Sequence, residues 1–187
     1  MGKIIVGIVG PIGSGKSTTS SFLVNKGFVH LRFSAEIEKE IKKRGLEFSR
    51  KNYQDIGNLW RSKKVDFISQ RVLKNIAKLP DDAKIVIEGC RNPGEIYPFK
   101  KLKNFYLIGL NAPVEVRFNR VSKLSRDPKT WEQFQIGERR DAGIGEPSWG
   151  QDVPGCLKLA DIVINTNKVK SKVNSEIEKY LQSKGVL

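Results

Sequence analysis

Cysteine is scarce in this sequence, and long apolar runs are missing from it. The two cysteines, Cys90 and Cys156, have neither the spacing of a metal site nor the density of a disulfide-stapled scaffold. The apolar segment KIIVGIVG near the start is far shorter than the ~20 residues that span a bilayer, and no small-residue cleavage site follows it. We therefore expect a reduced, cytoplasmic protein that has no membrane partner.

Internal repeats and low-complexity linkers are also missing. With 187 residues, of which 39% are hydrophobic, the chain is long enough for one domain with a substantial core and too short for two of ordinary size. We expect a single domain over residues 1–187, present as a monomer or a dimer.

Acidic residues are outnumbered, because 20 Asp and Glu stand against 34 Lys and Arg, which gives a formal charge of +14. Such an excess favours anionic partners such as nucleotides or nucleic acids. Much of the charge lies in mixed runs such as EIEKEIKKRG, which are typical of solvated helix faces and of heat-adapted surfaces. Since the basic residues are spread along the chain and no RNA-binding aromatic motif is recognisable, a nucleic-acid partner is possible but not favoured.

Short apolar runs alternate with longer stretches of helical period along the chain. Strands are predicted over 4–9, 29–33, 85–88, 105–110 and 162–165, which are rich in Val, Ile and Phe. Helices are predicted over 16–26, 35–44 and 50–78, and further helices near Pro113, Thr130 and Val169. This alternation predicts an α/β fold of three layers, with a five-stranded parallel sheet between helices. The long break with Gly and Pro at 141–155 is expected to be functional or mobile.

The stretch GPIGSGKS, residues 10–17, follows the first strand and opens the first helix. Its glycines, lysine and last serine match the phosphate-binding pattern G-x-x-x-x-G-K-[ST]. Glycines let the backbone bend around an anion, so that N–H groups and the helix N-terminus face the phosphates. Lys16 is predicted to reach the β- and γ-phosphates, and Ser17 to hold Mg²⁺. The predicted ATP-binding residues of this segment are Gly10, Ile12, Gly13, Ser14, Gly15, Lys16, Ser17 and Thr18.

The N-K-x-D motif of switch GTPases is absent, and the chain is short for a mechanical ATPase. It instead resembles the nucleoside and nucleotide kinases among the P-loop proteins, which include adenylate kinase-like enzymes and dephospho-CoA kinase. The resemblance covers almost the whole chain and rests on four stretches, GPIGSGKS, IVIEGCRNPGEI, APVEVRFNRVSKLSRD and LADIVINTN. It implies a P-loop NTPase fold, ATP and Mg²⁺ as cofactors, and phosphoryl transfer to a small-molecule acceptor.

Several site residues follow from this resemblance. Glu88, at the end of the third predicted strand, is expected to act with Ser17 at the metal, and Arg91 is expected to grip a phosphate of the acceptor. Asn165 and Thr166, which follow the last predicted strand, are expected near the adenine.

The resemblance also implies a short lid at about 117–140. Arginines of a closing lid stabilise the negative charge that spreads over a transferring phosphoryl group. Arg120 and Arg126 are therefore expected to be catalytic together with Lys16. One of Arg117 and Arg120 is expected to stack on the adenine, and Arg117 is assigned to ATP binding.

A helical region at about 34–78 is predicted to bind the acceptor. Within it, Arg50, Gln54 and Arg61 fall near one stripe, whereas the apolar residues of the same segment fall on another. One face can therefore pack while the other meets an anionic, hydrogen-bonding ligand. The predicted acceptor-binding residues are Ser34, Arg50, Gln54, Arg61 and Arg91.

The acceptor's identity depends on a missing carboxylate. A hydroxyl acceptor benefits from a carboxylate that takes its proton, whereas a monophosphate is already ionised. Dephospho-CoA kinases carry an aspartate just after the second strand, and Ala35 stands at that place here, with Glu36 as a substitute that nothing supports. The sequence therefore favours a nucleoside monophosphate or deoxynucleotide acceptor. Dephospho-CoA kinase and a nucleic-acid-associated P-loop ATPase stay open as alternatives.

Overall fold

Five parallel strands form one sheet in the computed structural model, which describes residues 2–123 and 129–187. The strands are β1 (Ile4–Val9), β2 (Val29–Arg32), β3 (Lys84–Glu88), β4 (Phe105–Asn111) and β5 (Ile162–Asn165). Their order across the sheet is β2-β3-β1-β4-β5, and every neighbouring pair is parallel. The predicted α/β fold with a five-stranded parallel sheet is confirmed.

Helices connect the strands and cover both faces of the sheet. Within the described ranges they are α1 (Lys16–Val24), α2 (Phe33–Lys43), α3 (Arg50–Lys63), α4 (Phe67–Ala77), α5 (Pro93–Lys100), α6 (Val114–Val121), α7 (Trp131–Asp141), α8 (Val153–Lys158) and α9 (Lys170–Ser183). None of these helices has the length and the apolar character needed to cross a membrane.

The three layers follow from the alternation of side chains along each strand. Ile5 of β1 packs in a core with residues of α2, α3, α4 and α5. Val6 and Ile8 point to the opposite face, where they pack against α1 and α9. Because β1 is covered on both faces, its sequence is almost continuously apolar, as buried parallel strands are.

Two differences from the predicted elements have local causes. The helix predicted over 50–78 is two helices, because Lys64 adopts an extended conformation (φ −159°, ψ 122°) between α3 and α4. Helices α5 and α8 were not predicted, since they have only eight and six residues, too few to show a helical period. Their starts are set by local chemistry instead, because each has a capping Asn or Asp side chain and a proline in its first turn.

The parallel arrangement brings the carboxyl ends of the strands to one edge of the sheet. The segments after β1, β3, β4 and β5 therefore emerge beside one another, and ligands of open α/β sheets bind at this edge. Two of the four stretches that carry the resemblance contain such a strand end, and the other two begin at the residue directly after one.

A buried ion pair connects α3 to the start of α5. The Arg61 guanidinium donates to Glu95 Oε1 at 3.1 Å, and both side chains are almost completely buried. The other oxygen of Glu95 accepts the backbone N–H groups of Arg91 and Asn92 at 2.7 and 3.2 Å. Glu95 therefore caps α5 and fixes the loop that carries Arg91.

Replacing Arg61 by Met should lower the free energy of unfolding by about 3–5 kcal/mol, because the Glu95 carboxylate is then buried without its cation. Lys63→Met is the matched control, since Lys63 is exposed at the end of the same helix, and it should change stability by no more than about 0.5 kcal/mol. Urea unfolding followed by circular dichroism measures both. Equal losses in the two variants would contradict a structural role for Arg61.

Candidate functional site

The loop between β1 and α1 contains three glycines in backbone conformations that other residues rarely adopt. Gly10, Gly13 and Gly15 have φ values of 153°, 74° and 93°. A Cβ at Gly10 would lie 2.2 Å from the carbonyl oxygen of Leu110, and a Cβ at Gly13 would lie 2.5 Å from that of Arg117. Both distances are far below van der Waals contact, so this loop packs backbone to backbone against β4 and α6.

Lys16 is folded back onto this loop. Its Nζ donates to the carbonyl oxygens of Gly10 and Pro11 at 2.7 and 2.8 Å. Burial lowers the pKa of its ammonium to about 7, and the nearby charge of Arg91 acts in the same direction. Because this pKa lies near neutral pH, the protonation state of Lys16 depends on the charges next to it.

Arg117 contacts the phosphate-binding loop with a buried guanidinium. This position differs from the one expected for a residue that stacks on the adenine. Its side chain is buried, and its guanidinium donates to the carbonyl oxygens of Ala112 and Ile12, both at 3.0 Å. It also pairs with Glu138 of α7 at 2.7 Å. These partners occupy the guanidinium and leave Arg117 a structural role beneath the phosphate-binding loop.

Arg120 lies on the other side of the loop, beside the segment after β5. Its guanidinium donates to the carbonyl oxygens of Gly13 at 3.1 Å and Thr166 at 2.7 Å. Thr166 is buried, and its backbone N–H donates to Asn111 at 2.7 Å. Asn165 is exposed, and its side-chain oxygen accepts the N–H of the residue two positions on.

A cleft of about 210 Å³ opens next to Arg120. Its lining residues are Gly15, Thr18, Thr19, Arg120, Thr166, Lys168, Lys170, Val173 and Asn174. Of the two arginines considered for the adenine, the structure thus brings Arg120 rather than Arg117 to a cleft beside the loop. Arg126, the third arginine of the predicted lid, lies outside the described residues.

The two residues predicted to hold a metal ion lie close together. Ser17 Oγ is 3.4 Å from Glu88 Oε1, and the second carboxylate oxygen accepts from Ser20 at 2.9 Å. His30 Nε2 lies 3.3 Å from Oε1. Burial pushes the pKa of Glu88 upward, but His30, Ser20 and Lys16 together bring it below its usual value. Glu88 is therefore ionised at neutral pH.

A second cleft, of about 170 Å³, adjoins Lys16 and Glu88 and contains all five predicted acceptor-binding residues. Those are Ser34, Arg50, Gln54, Arg61 and Arg91. We call it the acceptor cleft after that prediction. Because Arg61 is paired with Glu95, Arg50 and Arg91 supply the cationic end of the cleft together with Lys16. Its apolar wall consists of Ile37, Phe48, Tyr53 and Ile68. The cleft thus has a charged end near the phosphate-binding loop and an apolar wall from α2, α4 and the α3 region.

Asp141, at the end of α7, accepts hydrogen bonds from three polar residues of this cleft. It was not among the site residues predicted from the sequence. Its carboxylate accepts from Arg50 at 2.9 Å, from Arg91 at 2.6 Å and from Gln54 at 3.3 Å. Its side chain is 1% exposed. Burial would raise the pKa of this carboxyl, but Arg91, Arg50 and Lys16 lower it below its usual value. An ionised carboxylate therefore orients both arginines.

The break predicted at 141–155 also contributes to the acceptor cleft. Gln151 is buried in this segment and lines the cleft. One signal in the sequence pointed to this role, namely that an irregular segment of such length in a compact domain is usually functional.

Comparison with known proteins places the chain in a family. The family model described as "AAA domain" matches residues 6–142. A UPF0200 protein of Methanothrix thermoacetophila is 33% identical over 150 residues, which covers 78% of this chain and 80% of that protein.

Solved structures share the fold at low sequence identity. A protein of Thermus thermophilus superimposes with a TM-score of 0.65 at 18% identity, and the match covers 98% of each chain. The shikimate kinase of Acinetobacter baumannii, solved with shikimate, superimposes with a TM-score of 0.62 at 17% identity and covers 98% of this chain and 96% of that one. These likenesses confirm the fold of the P-loop kinases. The chain therefore belongs to the UPF0200 family and carries an AAA domain with the P-loop kinase fold.

Proposed function

We propose that the protein transfers the γ-phosphoryl group of ATP to a small phosphorylated acceptor, a nucleoside monophosphate or a deoxynucleotide. The observation that carries this proposal is the convergence of Arg50 and Arg91 in one cleft with Lys16. Two arginines fixed on one carboxylate suit a bound phosphate, because a guanidinium matches phosphate oxygens in a bidentate manner.

The donor would bind across the phosphate-binding loop. Its phosphates would face the backbone N–H groups of residues 10–17 and the N-terminus of α1. Its base would enter the cleft beside Arg120, where a guanidinium can stack on an aromatic ring. Lys16 would exchange its two carbonyl partners for phosphate oxygens and neutralise the charge that develops on the transferring group.

Ser17 and Glu88 would hold a magnesium ion. They fit it, since a hydroxyl and an ionised carboxylate meet at 3.4 Å beside the loop, and magnesium in phosphoryl-transfer sites is bound by one or two such protein oxygens plus phosphates. When bound, the ion neutralises charge on the phosphate oxygens.

The carboxyl groups available at the cleft indicate which class of acceptor can react there. Among the described residues that line it, Glu88 is the only one with a carboxyl group. That group already accepts from Ser20 and lies beside His30, so it is poorly placed to take a proton from a hydroxyl. An ionised monophosphate needs no such base: one of its oxygens forms the new bond to the γ-phosphorus while the bond to the β-phosphate oxygen breaks. The products are ADP and a diphosphate.

The decisive experiment follows ADP formation from ATP and Mg²⁺ with a panel of acceptors. The panel contains ribo- and deoxynucleoside monophosphates, dephospho-CoA and an oligonucleotide with a 5′-hydroxyl. We expect turnover with one or more monophosphates, and a loss of about a thousandfold or more in Lys16→Ala, which removes transition-state charge. Lys78→Ala, an exposed lysine at the end of α4, should keep full turnover. The proposal fails if no ribo- or deoxynucleoside monophosphate increases ADP formation, even where dephospho-CoA or the oligonucleotide does.

ATP binding should be linked to proton uptake by Lys16. Its pKa of about 7 in the free protein leaves the amine mostly neutral at pH 8, and triphosphate charge favours the ammonium. ATP binding at pH 8 should therefore take up about one proton, and affinity should fall by up to about tenfold per pH unit above 7. Calorimetry in two buffers of different ionisation enthalpy measures this uptake. Lys16→Arg, which stays charged, should take up none, and equal uptake in both proteins would refute the assignment.

Asp141→Asn should raise KM for the acceptor by about tenfold while leaving KM for ATP within about twofold, because Arg50 and Arg91 lose the charge that orients them. Initial rates at varied acceptor and varied ATP separate the two constants. Asp82→Asn, at an exposed position before β3, is the control and should change neither. An effect confined to KM for ATP would contradict the role given to Asp141.

A further inference from the structure

The segment between α7 and α8, residues 142–152, is fastened to the loop that carries Arg91. The side-chain amide of Asn92 donates to the carbonyl oxygens of Ser148 at 3.2 Å and Gly150 at 2.7 Å. In the other direction, the backbone N–H of Asp152 donates to the carbonyl oxygen of Arg91 at 2.6 Å. These three bonds fix the end of the segment directly beside the arginine of the acceptor cleft.

The start of the same segment is fastened to α3. Glu146 accepts from Arg140 at 2.9 Å and also from the side-chain amide of Asn58. Gly143 has a φ of 79°, and a Cβ there would lie 2.9 Å from the carbonyl oxygen of Gln151. The segment is therefore closed on itself as well as bound at both ends, which fixes the position of Gln151.

Gln151 places an unsatisfied donor at the acceptor cleft. Its side chain lines the cleft although the residue is only 2% exposed. Its Nε2 is buried and finds no hydrogen-bond acceptor among residues 2–123 and 129–187. Buried amide groups are almost always paired, because removing them from water without a partner is costly. Gln54, the other amide at this cleft, donates to Asp141 instead.

We propose that Gln151 is a specificity-determining residue, whose amide nitrogen donates a hydrogen bond to an oxygen atom of the bound acceptor. This proposal rests on the function proposed above and deepens it. Arg50 and Arg91 bind any phosphate by charge, so they select poorly among phosphorylated compounds. A neutral, buried amide contributes a hydrogen bond that requires an acceptor atom at one position, and it adds no charge. A ligand that lacks the matching oxygen leaves the donor unpaired and is rejected.

The test compares wild type with Gln151→Leu, which keeps the size of the side chain and removes its polar atoms. Gln182→Leu, at an exposed position on α9, is the control. Thermal unfolding is recorded without ligand, with each nucleoside monophosphate and with inorganic phosphate. Without ligand, the Gln151→Leu protein should melt about 2–4 °C above wild type, because the unpaired donor is gone. A glutamine that served only the fold would give a lower melting temperature.

With ligand, the stabilisation of Gln151→Leu by nucleoside monophosphates should fall below that of wild type, and KM for an accepted monophosphate should rise about tenfold or more. A loss seen with nucleoside monophosphates alone assigns the oxygen to the nucleoside, and a loss seen also with inorganic phosphate assigns it to the phosphate. Equal ligand-induced shifts in the two proteins, zero included, overturn the proposal. An absence of ADP formation in wild type counts against the proposed function instead, so the two failures are distinguishable.

Discussion

The carboxylate of Asp141 is the constraint around which the acceptor cleft is arranged. A buried, ionised carboxylate is tolerated only when donors replace the water it has lost, and Arg50, Arg91 and Gln54 do so. These donors come from α3 and from the loop after β3, whereas the carboxylate comes from α7. Three separate elements are therefore fixed relative to one another by one charge, and the position of each arginine depends on it.

Helix α7 thereby joins two parts of the site. Glu138 pairs with Arg117, which supports the phosphate-binding loop through the carbonyl oxygen of Ile12. Asp141 lies one helical turn further on, on the same face, and holds the acceptor arginines. One helix therefore contacts both the residue under the phosphate-binding loop and the arginines of the acceptor cleft. Helix α7, which belongs to the part of the chain predicted to be a lid, thus contacts residues on both sides of the site.

Local sequence patterns predicted the strands and the phosphate-binding loop, because alternation and glycine spacing arise within a few residues. The same holds for the acceptor stripe on α3, whose members share a helix face. The contacts of Asp141 reach partners 91 and 50 positions away, so no local pattern reports them. The sequence left open which of Arg117 and Arg120 lies beside the adenine for a similar reason. The two are three positions apart on α6, and only the packing of this helix decides which one lies under the loop.

The cations of the acceptor cleft are nearly balanced by carboxylates at close range. Arg61 pairs with Glu95 at 3.1 Å, whereas Arg50 and Arg91 share the single carboxylate of Asp141 at 2.9 and 2.6 Å. The ionised carboxylate of Glu88 lies near Lys16. Most of these charges cancel beyond roughly 10 Å, the screening length at about 0.1 M salt, so this cleft adds little to the attraction that a distant anion experiences. The rate at which an acceptor associates should accordingly depend little on ionic strength. Acceptors should then differ mainly in their dissociation rates, and the correct acceptor should dissociate most slowly.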